Sequence, residues 1–263
     1  MSKLLWNQTG DRAYQAGIDR GVLYVENSPG VVWNGLTGIE EDFGDTKTES
    51  LYVDGLKYRD IQSTDDFQAT LKAFTYPDEF LECEGVYDID NILVDGQIPK
   101  SFGLSYRVKI GNDVNHELGY LIHVIYNLTA IPDAHTYETL TATNQPIEFS
   151  WHLTSIPENV SGYRPTAHLV FNTTEMHSLL LLDLEDILYG TETTDPELPS
   201  LQELVNWSVA WASLQITDHG DGTWSAKDHG EYITMLDSTT FSINAANASY
   251  SDADTYTVSD TPG

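Results

Sequence analysis

The stretch "SFGLSYRVKIG" (101–111) constrains the fold of this chain most. Phe102, Leu104, Tyr106, Val108 and Ile110 alternate with Gly103, Ser105, Arg107 and Lys109. A two-residue period places one set on each face of a pleated strand, so this segment is expected to be a strand with one buried face. "ELGYLIHVIYNL" sets Leu118, Tyr120, Ile122, Val124, Tyr126 and Leu128 on one side. Its other side carries Leu121, His123 and Ile125, which points to a strand covered on both faces. "PIEFSWHLTS" repeats the alternation with Ile147, Phe149, Trp151 and Leu153, and "DFQATLKAFTY" with Phe67, Ala69, Leu71 and Ala73. Turn clusters such as "GND" and "AIPDA" separate these runs. The expected fold is mainly β, an antiparallel β-sandwich or barrel with one or two flanking helices.

The helices are expected near 175–189 and 200–207. "NTTEMHSLLLLDLEDILYG" sets Asn172 three residues before Glu175 and stops at Gly190, and "PSLQELVNW" carries the capping box Ser200-x-x-Glu203. "TETTDPELP" links them. Beyond Trp207 come short strand-like runs, "WASLQIT", "TWSA", "EYITML", "TFSI" and "TYTV". These divide the chain into a main domain over 1–206 and a small C-terminal β module, or added strands, over 207–263. "EEDFGDTKTESLYVDGLKYRD" (40–60) reads as a long loop or projecting hairpin, of the kind that is usually functional in compact domains.

Charge narrows the function. Forty-one acids against twelve Lys and Arg give −29. Residues 1–109 hold 19 acids and 10 bases, whereas residues 110–263 hold 22 acids and 2 bases. Nucleic-acid binding needs cations to replace phosphate counterions, so this surface repels nucleic acid. No stretch has the length of a membrane span, since "SLLLLDLEDILYG" is short and acid-bearing. "MSKLLWNQTGDR" lacks an apolar h-region, so export through a signal peptide is not expected. A single cysteine permits no internal disulfide.

Catalytic and metal motifs are not found. His116, His123 and His152 lie in or beside strands with no H-E-x-x-H or H-x₃-H spacing, and are expected to be structural. Ser105 lies inside an alternating strand and not at the sharp strand-to-helix turn of a nucleophile elbow. "TDHGDGTWS" (217–225) has Asp218 and Asp221 three apart but lacks the regular ligands of a calcium loop; Asp221-Gly222 suits a tight hairpin turn. In "FTYPDEFLECEG" (74–85), Asp78, Glu79, Glu82 and Glu84 surround Cys83. Their charge opposes thiolate formation, so an activated thiol is disfavoured. Pro77 opens a helical turn there, its first positions hold Asp78 and Glu79, and Phe74, Phe80 and Leu81 are expected to pack inward. The expected catalytic, cofactor and metal residues are therefore none, and the chain is expected not to be an enzyme.

Nine stretches in order across 17–191 resemble the major tail (tail tube) proteins of long-tailed, siphovirus-type phages, particularly those of actinobacterial hosts. They are "GIDRGVLY", "VVWNGLTGIEE", "YVDGLKYRD", "ATLKAFTYPDEFLECEG", "FGLSYRVKIGND", "GYLIHVIYN", "FSWHLTS", "RPTAHLVF" and "LEDILYGT". The resemblance implies a tail-tube β fold whose subunits form hexameric rings that stack into a hollow tube. It implies tape measure, terminator and distal tail proteins as partners, DNA passing through without specific binding, and no membrane. The implied location is the virion tail, assembled in the host cytoplasm. The 40–60 segment is then an arm toward a neighbouring ring. Bore-lining acids are expected on strand faces turned away from the core, with Arg107 and Lys109 sharing one outward face or pairing across subunits. The alternative is a carbohydrate-binding β-sandwich, drawn from the surplus of Trp and Tyr. A hydrolase using a carboxylate pair beside Cys83 is a third reading.

Overall fold

Alternating runs become strands that pair antiparallel throughout. The structure is a computed structural model. It describes residues 6, 9–26, 28–42, 48–62, 67–137, 139, 146–176, 178–213, 215–218, 223–227, 232–235, 241–244 and 255–259. The chain divides into two compact units, 1–174 and 175–263.

The first unit contains β1 (Tyr14–Val25), β2 (Val31–Trp33), β3 (Leu36–Asp42), β4 (Thr48–Val53), β5 (Leu56–Gln62) and β6 (Gln68–Ala73). A 3₁₀ turn (Asp78–Cys83) follows, then β7 (Tyr87–Ile89), β8 (Ile92–Val94), β9 (Phe102–Gly111), β10 (Gly119–Pro132), β11 (Phe149–Ser155) and β12 (His168–Asn172). The main sheet runs β2-β1-β9-β10-β11-β6-β3, and β12 pairs the first half of β10. It curls around the core, so β1 and β3, from opposite ends of that order, come into contact. Gly21 of β1 makes this approach possible: a Cβ there would lie 2.3 Å from Leu36 Cδ1 of β3. Strand hydrogen bonds do not join β1 to β3 among the described residues, so the barrel stays open.

Two expected patterns come out as read. Phe67, Ala69, Leu71 and Ala73 are all buried, as are Trp151 and Leu153 of β11. In β9 the apolar residues Phe102, Leu104 and Tyr106 face the core, but Gly103 and Ser105 are buried too, so its first half has two covered faces and not one. In β10, His123 and Ile125 point inward while Ile122 and Val124 are buried on the opposite face. Leu128 departs from the expected grouping with Ile122 and Val124. The register against β9 shifts between Ile125 and Leu128, and Asn127 takes φ 51°, so this bulge turns Leu128 into the core beside Ile125.

Of the 40–60 segment, 40–42 end β3 and 48–60 lie in a hairpin, β4–β5, turned by Asp54 and Gly55. Both have positive φ (51° and 77°), the requirement of a two-residue type I′ turn. Asp90 and Asn91 repeat this device at φ 52° and 68° between β7 and β8, a hairpin that alternation does not mark because its strands have only three residues each.

The second unit holds α1 (Ser178–Tyr189), α2 (Leu201–Ser213), β13 (Gln215–Asp218), β14 (Thr223–Lys227), β15 (Tyr232–Met235), β16 (Phe241–Asn244) and β17 (Thr255–Ser259). The capping box forms: Glu203 Oε2 accepts from Ser200 N at 2.9 Å, and Glu203 N donates to Ser200 Oγ at 3.3 Å. Asn172 does not cap α1. Its Oδ1 accepts from Thr174 N at 3.2 Å, closing a turn after β12, and the helix begins later at Ser178. Trp211–Ser213, expected to open a strand, extend α2 instead, and the strand starts at Gln215. The expected domain boundary at 206/207 falls inside α2, so both helices share the second unit with the C-terminal strands. Leu184, Leu188, Leu201 and Leu204 are buried, and Trp207 Nε1 donates to Asp183 Oδ2 at 2.7 Å. Among the described residues no helix is long and apolar enough to cross a membrane.

Candidate functional site

"FTYPDEFLECEG" closes one part of the core. Pro77 precedes the 3₁₀ turn, with Asp78 and Glu79 in its first positions. Phe80 is fully buried at the centre of an aromatic cluster, with ring centroids 4.5 Å from Trp33, 5.2 Å from Trp151 and 5.3 Å from Phe102. Phe74 is not inward as expected: it is 43% exposed, because it follows buried Ala73 and continues the two-residue alternation of β6 on the opposite face. Cys83 is fully buried, and burial with the Glu82 charge pushes its thiol up to about 12. Glu82 pairs with Lys100, and Glu84 accepts a hydrogen bond from Trp151 Nε1. Glu82 and Glu84 thus point to separate partners.

Sequence alone does not bring together the most distinctive polar group in the molecule. Glu41 of β3, Tyr106 of β9, His123 of β10 and His168 of β12 meet beside the core. His123 Nδ1 lies 2.9 Å from Glu41 Oε1, 3.1 Å from His168 Nε2 and 3.2 Å from Tyr106 OH. Tyr106 OH also donates to Glu41 Oε1. His123 is 7% exposed, and its Nε2 is buried with no hydrogen-bond partner. Burial opposes ionisation of Glu41, but the hydrogen bonds from His123 and Tyr106 outweigh it and hold the carboxyl below its usual range. Burial holds His168 neutral, with its pKa down at about 4. The four residues are scattered over 41–168, and only His123 attracts notice in sequence. His116 instead meets Tyr14 OH at 2.7 Å.

Arg107 and Lys109 pair within the chain. Arg107 Nε donates to Asp19 Oδ1 at 2.8 Å and its NH2 group to Asp19 Oδ2 at 3.1 Å; Lys109 Nζ lies 3.6 Å from the same carboxylate. The guanidinium also sits 4.1 Å from the Tyr120 ring centroid. These groups line a cleft of about 300 Å³ shared with His116 and Glu117. Positive and negative groups nearly balance there, which gives the cleft no strong preference for an anion. Asp221 and Gly222 lie outside the described residues.

Two hairpins carry exposed apolar side chains. On β4–β5 these are Leu51, Val53, Leu56 and Tyr58, the last two 75% and 73% exposed; on and after β7–β8 they are Ile89, Ile92, Leu93 and Ile98. Along the main sheet β3 hydrogen-bonds only to β6, so its other edge, although it approaches β1 near Leu36, is paired by no strand among the described residues. The fold therefore defines a curled antiparallel β protein with an open edge and two apolar hairpins.

No protein-family model matches the chain, and no curated protein matches it. Among solved structures it is similar to a chain of the sheath–tube complex of an extracellular contractile injection system (PVC) in its extended state. That likeness has 13% identity and a TM-score of 0.32, covering 58% of this chain and 88% of that one. It is also similar to chains of the anti-feeding prophage baseplate (10% identity, TM-score 0.31, 67% and 100% covered) and of its tube-terminating cap (11%, 0.31, 65% and 95%). These likenesses are distant, and the role proposed below stands on the chain's own residues.

Proposed function

We propose that this chain is a structural subunit of a phage-type tail tube, assembling with copies of itself into stacked rings through which DNA leaves the capsid. The observation that carries the reading is the pairing of an open sheet edge with two hairpins whose apolar residues face solvent. Exposed edges and apolar patches of this kind are aggregation liabilities unless a partner covers them. A second copy covers them in a defined way: edge pairing gives main-chain hydrogen bonds, and a head-to-tail contact closes into a ring when its rotation divides the circle. The collinear resemblance over 17–191 supports the same class and its hexameric symmetry. The β4–β5 hairpin is then the arm that reaches a neighbouring subunit.

The net charge of −29 fits a conduit that DNA passes without sticking. Repulsion screened over about 8 Å at physiological salt acts at the wall and not across a wide bore. Trp33 and Trp151, part of the aromatic surplus behind the carbohydrate reading, are 2% and 1% exposed and serve the core.

Negative-stain microscopy of concentrated protein, with tail assembly partners added, tests the proposal: rings or tubes are expected. A chain that stays monomeric under those conditions overturns it. Charge reversal of bore-facing acids is expected to slow DNA ejection while leaving tubes intact.

A further inference from the structure

We infer that Glu41, His123 and His168 form a binding site for one divalent first-row cation of the zinc type. Their donor atoms all lie within 4.8 Å of one another. Two imidazole nitrogens and one carboxylate oxygen are a donor set suited to zinc or cobalt and poorly suited to magnesium or calcium, which favour all-oxygen shells.

The two histidines meet nitrogen to nitrogen. Their ring centroids are 5.1 Å apart, their planes are inclined by 30°, and the facing nitrogens lie 3.1 Å apart. Ligand atoms about 2.0–2.1 Å from a tetrahedral zinc stand about 3.3 Å from each other. The observed 2.9 Å from Glu41 to His123 and 3.1 Å from His123 to His168 are within a few tenths of an ångström of that spacing. The third pair, Glu41 and His168, lies within 4.8 Å, so side-chain adjustment brings all three donors round one ion.

Without an ion the cluster is poorly served by its own protons. A single hydrogen on His123 Nδ1 cannot point at Glu41, His168 and Tyr106 together, although all three lie within 3.2 Å. A cation among them engages the carboxylate and both nitrogens at once. His123 Nε2 is buried with no partner in the present arrangement, so Nδ1 is the nitrogen that faces the other donors. Tyr106, donating to Glu41, then orients a ligating carboxylate. The ligands come from β3, β10 and β12, so the ion would tie the open-edge strand β3 across the core to the middle of the sheet. Ligands on separate strands leave no short sequence motif, which explains why the expectation of no metal residues arose.

The test uses full-length protein stripped by a chelator and titrated with Co²⁺ in excess Mg²⁺, which occupies exposed carboxylates. One equivalent is expected to bind with the visible d–d absorption of a low-coordinate nitrogen and oxygen site, and Zn²⁺ is expected to bleach it. Zn²⁺ should raise the unfolding temperature. His168→Ala and Glu41→Gln should each weaken binding at least about tenfold and abolish the thermal shift, whereas His152→Ala leaves both unchanged. Where His168→Ala does not fold, Glu41→Gln decides, because it keeps the side-chain shape and an acceptor for Tyr106. No saturable binding by the unaltered protein overturns the inference, and so does binding that survives the Glu41 and His168 substitutions.

Discussion

Trp151 donates its indole N–H to Glu84, tying the wall of the core to the end of the acidic 3₁₀ turn. Despite that bond, burial holds the Glu84 carboxyl above its usual range. A carboxyl with a raised folded pKa stabilises below its unfolded pKa, and that contribution is lost as pH rises through the folded value. Glu84→Gln keeps an acceptor for Trp151 and removes the ionisation. The variant is therefore expected to be more stable than the parent at pH 7, by a few tenths to about 1 kcal/mol. The advantage should disappear near pH 4. Urea melts across this pH range check both the sign and the window.

Cys83 shows how a reactive-looking motif becomes part of a core. Its sulfur lies 3.9 Å from Glu79 O, and its thiol is raised to about 12. Thiol reagents at pH 8 are expected to leave the native protein unmodified and to label one equivalent in denaturant. Cys83→Ser should cost more than Cys83→Ala, by about 1 kcal/mol or more, because the hydroxyl enters an apolar pocket with poor hydrogen-bonding geometry. Thermal denaturation of the two variants gives that comparison.

Asp19 and Arg107 form a two-point ion pair, with the Arg107 side chain only 11% exposed. The hydrogen bond from Arg107 is the main reason the Asp19 carboxyl is held below its usual range. A depressed folded pKa contributes stability above the unfolded value and loses it as pH falls through the folded one. Asp19→Asn is expected to cost about 1 kcal/mol at pH 7, less than for a buried pair because Asp19 is partly solvated. The gap from the parent should narrow below pH 3.8. Denaturant midpoints at pH 7 and pH 3 measure it.

How far sequence reaches depends on where each signal is stored. Ala69, Leu71, Trp151 and Leu153 alternate locally, so their strands were legible. The Ser200–Glu203 cap was likewise legible, because it is written within four residues. Leu128 misled because a bulge changes facing without changing composition. Phe74 misled because its aromatic character masks the two-residue alternation of β6, which puts it on the face opposite to Ala73. The Glu41, His123 and His168 group was invisible for a different reason: curling of the sheet, and not chain proximity, assembles it. The open barrel edge follows from strand order, which alternation does not encode.

The apolar residues of the β4–β5 hairpin separate assembly from folding. Leu56 and Tyr58 stand largely in solvent on a two-stranded sheet, so their removal leaves the core of the first unit untouched. Surface substitutions of this kind usually change stability by no more than about 0.5 kcal/mol. Leu56→Lys with Tyr58→Lys is therefore expected to melt like the parent. In the proposed tube the same side chains are buried against a neighbouring copy, where placing two unpaired ammonium groups costs several kcal/mol. Sedimentation velocity and negative-stain imaging of the double variant should show soluble subunits with few or no rings or tubes. Normal tubes from this variant would show that the hairpin is not the arm between subunits, while tubes lost together with a lowered melting temperature would place its role in folding.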